Sequence, residues 1–216
     1  LFYVVYNIHN KNVYSIEKTG GYTVREIRLK ARAKINLTLD VTGKREDGYH
    51  LLETIMQTVA LYDGIYMKKL EKPVIKLKTN LPWLPTDARN LAWKAANLMR
   101  ETFGIKEGVF IEIDKRIPVA AGLAGGSTDC AAVLVGMNEL YGAHLSMSEL
   151  CALGAKIGAD VPFALMGGTC RVQGVGDFLK ALPPVPECWF TVVMPDYGVS
   201  TPEAFAAYDK VGSTVH

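Results

Sequence analysis

The sequence has few cysteines, and their spacing fits neither a metal site nor a disulfide framework. Cysteine occurs at Cys130, Cys151, Cys170 and Cys188, with no Cys-x-x-Cys pair among them. Structural zinc sites usually use close pairs, and disulfide frameworks belong to short secreted chains. We therefore expect four reduced thiols and a cytoplasmic protein, since free cysteine behaves as a small buried hydrophobe.

Long apolar runs and a large net charge are also missing. No run approaches the ~18–20 apolar residues that span a bilayer, so we expect no membrane segment. The formal net charge is only +2, with basic and acidic residues mixed along the chain, which argues against nucleic acid and membrane surfaces as partners. Any anionic ligand should therefore be recognised locally. With 49% hydrophobic and 21% charged residues, the composition is that of a folded protein.

Alternation of apolar and polar residues predicts a strand from Leu29 to Asp40. Its apolar positions would form the buried face: Leu29, Ala31, Ala33, Ile35, Leu37 and Leu39. Lys34 and Asn36 share the other face with Lys30 and Arg32, which by pattern alone is solvated.

The rest of the chain mixes strands and helices. We expect β structure from His50 to Lys69, interrupted at Asp63-Gly64, and a helix over 90–102 that Asp87 caps. A second helix should cover 127–140, and Ser146-x-x-Glu149 is a capping box that opens a third, ending near Gly158. Further strands are expected at 74–78, 109–114, 169–173 and 189–194, and a helix start at 201–203. The order predicts an α+β fold.

The glycine-rich segment over residues 118–129 is the most informative part of the sequence. It joins a strand to a helix, so the first helical N–H groups and the positive end of the helix dipole form an anion site. A triphosphate would suit it, and Ser127 and Thr128 add hydroxyl groups. The segment lacks the Gly-Lys-Ser/Thr ending of a P-loop and does not match a dinucleotide fingerprint. From the residues alone, a turn that merely packs a helix on a sheet stays equally open.

This segment resembles the second motif of the GHMP kinases, Pro-x-x-x-Gly-Leu-x-x-Gly-Ser followed by a helix. Three further matches lie at Ala33-Lys34-Ile35-Asn36-Leu37, Gly48-Tyr49-His50 and Gly158-Ala159-Asp160-Val161-Pro162. Together they resemble the branch of the family that uses ATP to phosphorylate the 2-hydroxyl of a cytidine diphosphate ester of methylerythritol. The resemblance covers residues 26–205 and implies an α+β domain like domain 2 of ribosomal protein S5.

The resemblance implies a role for each matching residue. Lys34 and Asp160 would form the catalytic pair, with Asp160 accepting the hydroxyl proton and Lys34 stabilising developing charge. The acceptor substrate would contact Asn36, Tyr49, His50, Gly174 and Val175. ATP would contact Asn90, Lys115, Pro118, Val119, Ala120, Ala121, Gly122, Leu123, Ala124, Gly125, Gly126, Ser127 and Thr128. Mg²⁺ would accompany ATP, with Ser127 as its candidate ligand by position.

Alanine occupies three loop positions where relatives can have glycine. Methyl groups at Ala120, Ala121 and Ala124 are compatible with a close phosphate provided that φ stays negative there.

The domain organisation follows from the same resemblance. We expect an extension of unknown role over 1–24, the N-terminal kinase domain over 25–196, and the start of a shortened second domain over 197–216. The oligomeric state, monomer or homodimer, cannot be read from the sequence.

Two alternatives stay open at this point. One is another GHMP kinase acting on mevalonate, homoserine or a sugar, against which Gly48-Tyr49-His50 argues, because those substrates carry no cytosine. The other is an inactive nucleotide-binding fragment or an RNA-binding module on the same fold. The small net charge and the absence of a basic-aromatic pattern argue against RNA.

Overall fold

The computed structural model describes residues 2–7, 17–19, 24–194, 198 and 200–211. The strands are β1 (Phe2–Asn7), β2 (Glu17–Thr19), β3 (Glu26–Lys44), β4 (His50–Leu70), β5 (Ile75–Thr79), β6 (Gly108–Asp114), β7 (Thr169–Gly174), β8 (Phe178–Ala181) and β9 (Trp189–Met194). The helices are α1 (Leu91–Phe103), α2 (Gly125–Tyr141), α3 (Met147–Ala155), α4 (Val161–Met166) and α5 (Thr201–Val211). The mixture confirms the predicted α+β class. No helix within these ranges has the length and hydropathy that a membrane span requires.

The long strand β4 organises the main sheet. It pairs with β3 along nearly its whole length, with β6 over residues 64–70 and with β7 over residues 52–57. The sheet order is β2-β3-β4-β6-β5, and β8 extends it beyond β7. Among the described strands, only β5 and β6 pair in parallel; the other pairs are antiparallel. The predicted interruption at Asp63-Gly64 is wrong, because β4 runs through it and Asp63 is buried inside the fold.

Helices α1 and α2 cover one face of the sheet. The core forms between their small residues and the apolar side of β3, β4 and β6, where Leu29, Met67 and Ile111 are buried. The contact is close at Gly136, where an added Cβ would lie 2.3 Å from the sulfur of Met67. α2 therefore packs directly on β4. This contact fixes the position of the start of α2, which faces the glycine-rich segment before it.

The ends of the helices follow local sequence signals. Asn90, not Asp87 as predicted, caps α1: its Oδ1 accepts a hydrogen bond from the Ala92 N–H at 2.9 Å. Asp87 instead forms an ion pair with Arg89. The capping box at Ser146 and Glu149 is confirmed. The short helix α4 and strand β8 were not predicted.

The predicted alternation of β3 holds only as far as Ala33. The register with β4 shifts between Arg32 and Lys34 and again between Asn36 and Thr38. Beyond the first shift Lys34 is buried, whereas Leu39 is 58% exposed. The β-bulge thus removes Lys34 from the solvated face of Lys30 and Arg32 and directs it inward.

The four cysteines are free thiols, with Cys130 and Cys170 buried, as the sequence predicts. In the described part of residues 1–24, β1 pairs with β9 and β2 with β3. The domain division at residues 24 and 196 stays a prediction.

Candidate active site

A cleft of about 420 Å³ lies where the glycine loop meets the sheet. It brings together residues from β3, the loop, α1, α2 and the start of α4, including both members of the predicted catalytic pair. Its lining is Lys34, Leu84, Pro85, Arg89, Asn90, Leu91, Lys115, residues 118–127, Asp129, Asp160 and Thr201.

The loop presents unpaired helix donors to this cleft. Ala124 adopts the left-handed conformation, and α2 begins directly after it at Gly125, two residues earlier than predicted. The first intrahelical bond runs from the Thr128 N–H to the Ala124 carbonyl at 2.9 Å. The N–H groups of residues 125–127 precede that bond, so they are available to an anion.

The three loop alanines were expected to allow a close phosphate only if φ is negative, and at two of them φ is positive. Ala120 has φ of 59° and Ala124 has φ of 57°, and only Ala121 keeps a negative φ. An L-residue in the left-handed region costs roughly 1–2 kcal/mol. The loop is thus strained where Ala120 and Ala124 stand in place of glycine.

Thr128 lies behind the loop and does not line the cleft. Its side chain is buried, and its hydroxyl donates to the Gly125 carbonyl oxygen at 2.9 Å. Ser127, one residue earlier, faces the cleft.

Lys115 is buried between two carboxylates. Its Nζ donates to Asp63 at 2.5 Å and to Asp129 at 2.9 Å, and its side chain is 3% exposed. Burial alone would lower the pKa of Lys115, but the two carboxylates outweigh it and the pKa is raised, so the ammonium stays charged. The predicted ATP residue therefore belongs to a buried ionic cluster at the back of the cleft.

Lys34 and Asp160 face each other across the cleft. The Lys34 Nζ lies 3.9 Å from Asp160 Oδ2. The Lys34 Nζ also donates to the side chain of Asn36 at 2.7 Å, and Asn36 donates to Thr54 at 2.7 Å. The ammonium is thus oriented by its neighbours, and Asp160 at the start of α4 makes no capping hydrogen bond.

The tip of the β3–β4 hairpin brings the predicted base-binding residues to α5. The ring of His50 stacks on Phe205 with centroids 4.5 Å apart and planes 9° apart, and Tyr208 meets it edge-on. The His50 Nε2 lies 2.7 Å from Asp209. Tyr49 is 65% exposed beside it. The sequence indicated that a helix starts at residue 201, but it gave no sign that this helix contacts the hairpin.

Gly174 and Val175 lie at the turn between β7 and β8. Gly174 has φ of 72°, and the Val175 N–H donates to Asp177 at 3.0 Å. A Cβ on the next glycine, Gly176, would lie 3.2 Å from the carbonyl oxygen of Ala159. The turn therefore touches the segment that leads into Asp160.

Asn90 lines the cleft, but its side chain is already used in the fold. Besides capping α1, it donates to the Pro85 carbonyl at 2.8 Å. The residues on either side, Leu84, Pro85 and Leu91, form an apolar wall that was not predicted. The sequence does contain a sign of this wall: in the run Leu81-Pro-Trp-Leu-Pro85, two prolines flank apolar residues.

The described residues contain no group of three or more His, Cys, Asp or Glu side chains arranged as a metal cage. Oxygen atoms that can ligate a metal do line the cleft, among them those of the Ser127 hydroxyl and the Asp160 carboxylate. Mg²⁺ that is bound through nucleotide phosphates needs only one or two protein oxygens. These residues therefore fit a metal that arrives with the nucleotide.

Comparison with known families gives a match over residues 90–168, to the N terminal domain of the GHMP kinases. This range includes the glycine loop, α2 and Asp160. A curated relative from Clostridium botulinum (strain Eklund 17B / Type B), named 4-diphosphocytidyl-2-C-methyl-D-erythritol kinase, is 53% identical over 183 residues. The alignment covers 85% of this chain and 65% of the relative, so the chain spans slightly less than two thirds of that protein's length.

Solved structures agree with this match. A crystal structure of 4-(cytidine 5'-diphospho)-2C-methyl-D-erythritol kinase is 41% identical, with a TM-score of 0.62, and covers 72% of this chain and 55% of that one. Homoserine kinase from Cytophaga hutchinsonii has a TM-score of 0.60 at 20% identity, over 88% of this chain and 62% of that one. This second likeness bears on the fold alone.

Proposed function

We propose that this chain, which matches the N-terminal domain of the GHMP kinases over residues 90–168, binds ATP and belongs to a kinase that phosphorylates 4-diphosphocytidyl-2-C-methyl-D-erythritol on its 2-hydroxyl. The reaction would serve the non-mevalonate route to isoprenoid precursors. The observation that carries the proposal is a single cleft containing unpaired helix donors and, across from them, the Lys34–Asp160 pair.

The ATP phosphates would lie over the start of α2. The N–H groups of residues 125–127 supply donors, and the helix dipole adds positive potential. The apolar wall of Leu84, Pro85 and Leu91 is suited to the adenine ring. Mg²⁺ bound to the phosphates would neutralise part of their charge, with Ser127 as the candidate protein ligand.

The acceptor hydroxyl would lie between Lys34 and Asp160. Asp160 would accept a hydrogen bond from the hydroxyl, orient it and take its proton as the phosphoryl group transfers. Lys34, held by Asn36, would stabilise the developing negative charge on the transferring group. Positioning and charge stabilisation carry most of phosphoryl transfer, so no covalent enzyme intermediate is required.

The cytosine ring would bind at the tip of the β3–β4 hairpin. His50, Phe205 and Tyr208 form an aromatic group there, next to the exposed Tyr49, and aromatic side chains bind nucleobases by stacking. The turn at Gly174 and Val175 would wall the path from this group to Asp160. An aromatic group of this kind favours a nucleotide-linked acceptor over mevalonate or homoserine.

The test is an ADP-release assay with ATP, Mg²⁺ and the cytidyl substrate, with mevalonate and homoserine as control acceptors. We expect turnover with the cytidyl substrate alone. Asp160→Asn should lower kcat by about 10²–10⁴-fold, which is the usual contribution of a general base. Equal turnover with mevalonate, or full activity of Asp160→Asn, would contradict the proposal.

A further inference from the structure

Three charged side chains meet behind the glycine loop, called below the phosphate loop (residues 118–124), and they are nearly inaccessible to solvent. Asp63 comes from the middle of β4, Lys115 follows β6, and Asp129 lies in α2; their side chains are 0%, 3% and 5% exposed. Burying charges costs free energy that a well-packed apolar cluster would not cost. A buried ionic cluster at this place therefore calls for an explanation beyond stability.

Asp63 also binds the backbone that leads into the loop. Its Oδ1 accepts hydrogen bonds from the N–H groups of Arg116 at 2.5 Å and Ile117 at 2.8 Å. On the opposite side, the Asn80 side chain accepts from the Lys115 N–H at 2.8 Å and donates to the Lys115 carbonyl at 3.1 Å. The three residues that precede the loop are thus clamped between Asn80 and Asp63.

The same cluster reaches the far end of the loop. A Cβ on Gly125, the first residue of α2, would lie 3.0 Å from the Lys115 Nζ. Lys115 also bonds Asp129, one turn further along α2. One ammonium group thereby links the point where the chain leaves β6 to the point where the helix donors begin.

We infer that Asp63 is a positioning residue for the phosphate loop: with Asn80 it fixes the loop's entry, and through Lys115 it fixes the start of α2. The inference rests on the proposed ATP site. Asp63 does not line the cleft, so it acts through the loop and through Lys115 and makes no contact with the nucleotide. The contact that Asp63 adds to the cluster is the backbone clamp, which Asp129 does not make.

The charges of the cluster provide a matched pair of variants. Two carboxylates face one ammonium, so Asp63→Asn and Asp129→Asn each leave one neutral ion pair. Burial raises the pKa of Asp129, which Lys115 opposes and Asp63 reinforces. Its Oδ1 is buried with no hydrogen-bond partner among the described residues. Asp129→Asn leaves the backbone clamp at Asp63 intact. In Asp63→Asn, a single side-chain oxygen replaces the two that accept from Lys115 and from the backbone N–H groups of residues 116 and 117.

The experiment measures backbone hydrogen exchange over residues 114–128, with α1 as internal reference, and ATP affinity by titration. For Asp63→Asn we expect exchange about tenfold faster in 114–128, unchanged in α1, and ATP binding about tenfold weaker. For Asp129→Asn the exchange in 114–128 should stay within about threefold of the wild type. The two variants should have similar unfolding midpoints.

Equal exchange in the two variants, or faster exchange in α1 as well as in the loop, would overturn the inference. If Asp63→Asn does not fold, Asn80→Ala loosens the clamp from its exposed side, and unchanged loop exchange there would overturn it too. A wild-type chain that binds no ATP would refute the proposed function alone, because the exchange measurement tests positioning without nucleotide.

Discussion

The phosphate loop and the tip of the β3–β4 hairpin line the two ends of the proposed site, and they are held in different ways. The loop is anchored by buried groups: Asp63 accepts hydrogen bonds from the backbone at its entry, and Lys115 donates to Asp129 in the first turns of α2, which follows the loop. The hairpin tip is held through an exposed carboxylate: Asp209, whose side chain is 39% exposed, bonds the exposed Lys44 at 2.6 Å and the largely buried ring of His50 at 2.7 Å.

This difference indicates how the two halves of the site would bind their ligands. Buried, water-excluded contacts are strong and fix geometry in advance, whereas exposed ion pairs contribute little and rearrange easily. The phosphate end is thus preorganised for one kind of ligand. The aromatic end, where Phe205 already stacks on His50, would adjust when a base binds as we propose.

Among the variants that test this difference between the two ends of the site, we expect the largest loss of stability at Gly125. In Gly125→Ala the new methyl group would lie 3.0 Å from both the Lys115 Nζ and the Ile117 Cγ2. Overpacking of this kind costs about 1–3 kcal/mol, so we expect the free energy of unfolding to fall by that amount in chemical denaturation.

Gly126→Ala is the matched control. Its added methyl group meets only Leu91, at an ordinary 3.6 Å, so the variant should be as stable as the wild type or up to about 1 kcal/mol more stable. Equal destabilisation at both positions would mean that the cluster at Lys115 is not tightly packed.

A smaller effect is expected at Ala124, where a substitution can remove backbone strain from the loop. Because Ala124 has a φ of 57°, Ala124→Gly should raise the free energy of unfolding by about 1 kcal/mol. Ala121→Gly, at a residue with negative φ, should lower it slightly. A loss of stability at Ala124→Gly would show that the left-handed conformation is not the strained feature of the loop.

The smallest effect concerns the hairpin tip. Hydrogen bonds from Lys44 and then His50 hold the pKa of Asp209 below its ordinary value. A depressed carboxyl pKa contributes stability above the unfolded value near 3.9, and this contribution is lost as the pH falls through the folded value. Asp209→Asn should therefore melt slightly below the wild type at pH 6, with the difference shrinking as the pH falls below the unfolded value of about 3.9. A constant difference over that range would contradict this.

The sequence predicted the parts of the site that are local. The glycine loop and the helix after it follow from short-range chemistry, and the structure has both; the same holds outside the site for the capping box of α3. It could not show the inward turn of Lys34, because that depends on a register shift between β3 and β4. Nor could it show the place of Asp63: an Asp-Gly pair is typical of a turn, and only the tertiary contact with Lys115 puts Asp63 in the buried cluster behind the loop.

The most direct test of this account is a calorimetric titration of MgATP into the wild-type chain and into Gly126→Val. A Cβ at residue 126 meets only Leu91, at an ordinary contact distance of 3.6 Å, so we expect the fold to tolerate valine while its branched side chain obstructs the phosphate site. We predict saturable binding by the wild type and at least about tenfold weaker binding by the variant, at matched unfolding midpoints. No binding by the wild type, or equal binding by both, would contradict the assignment of the cleft to ATP.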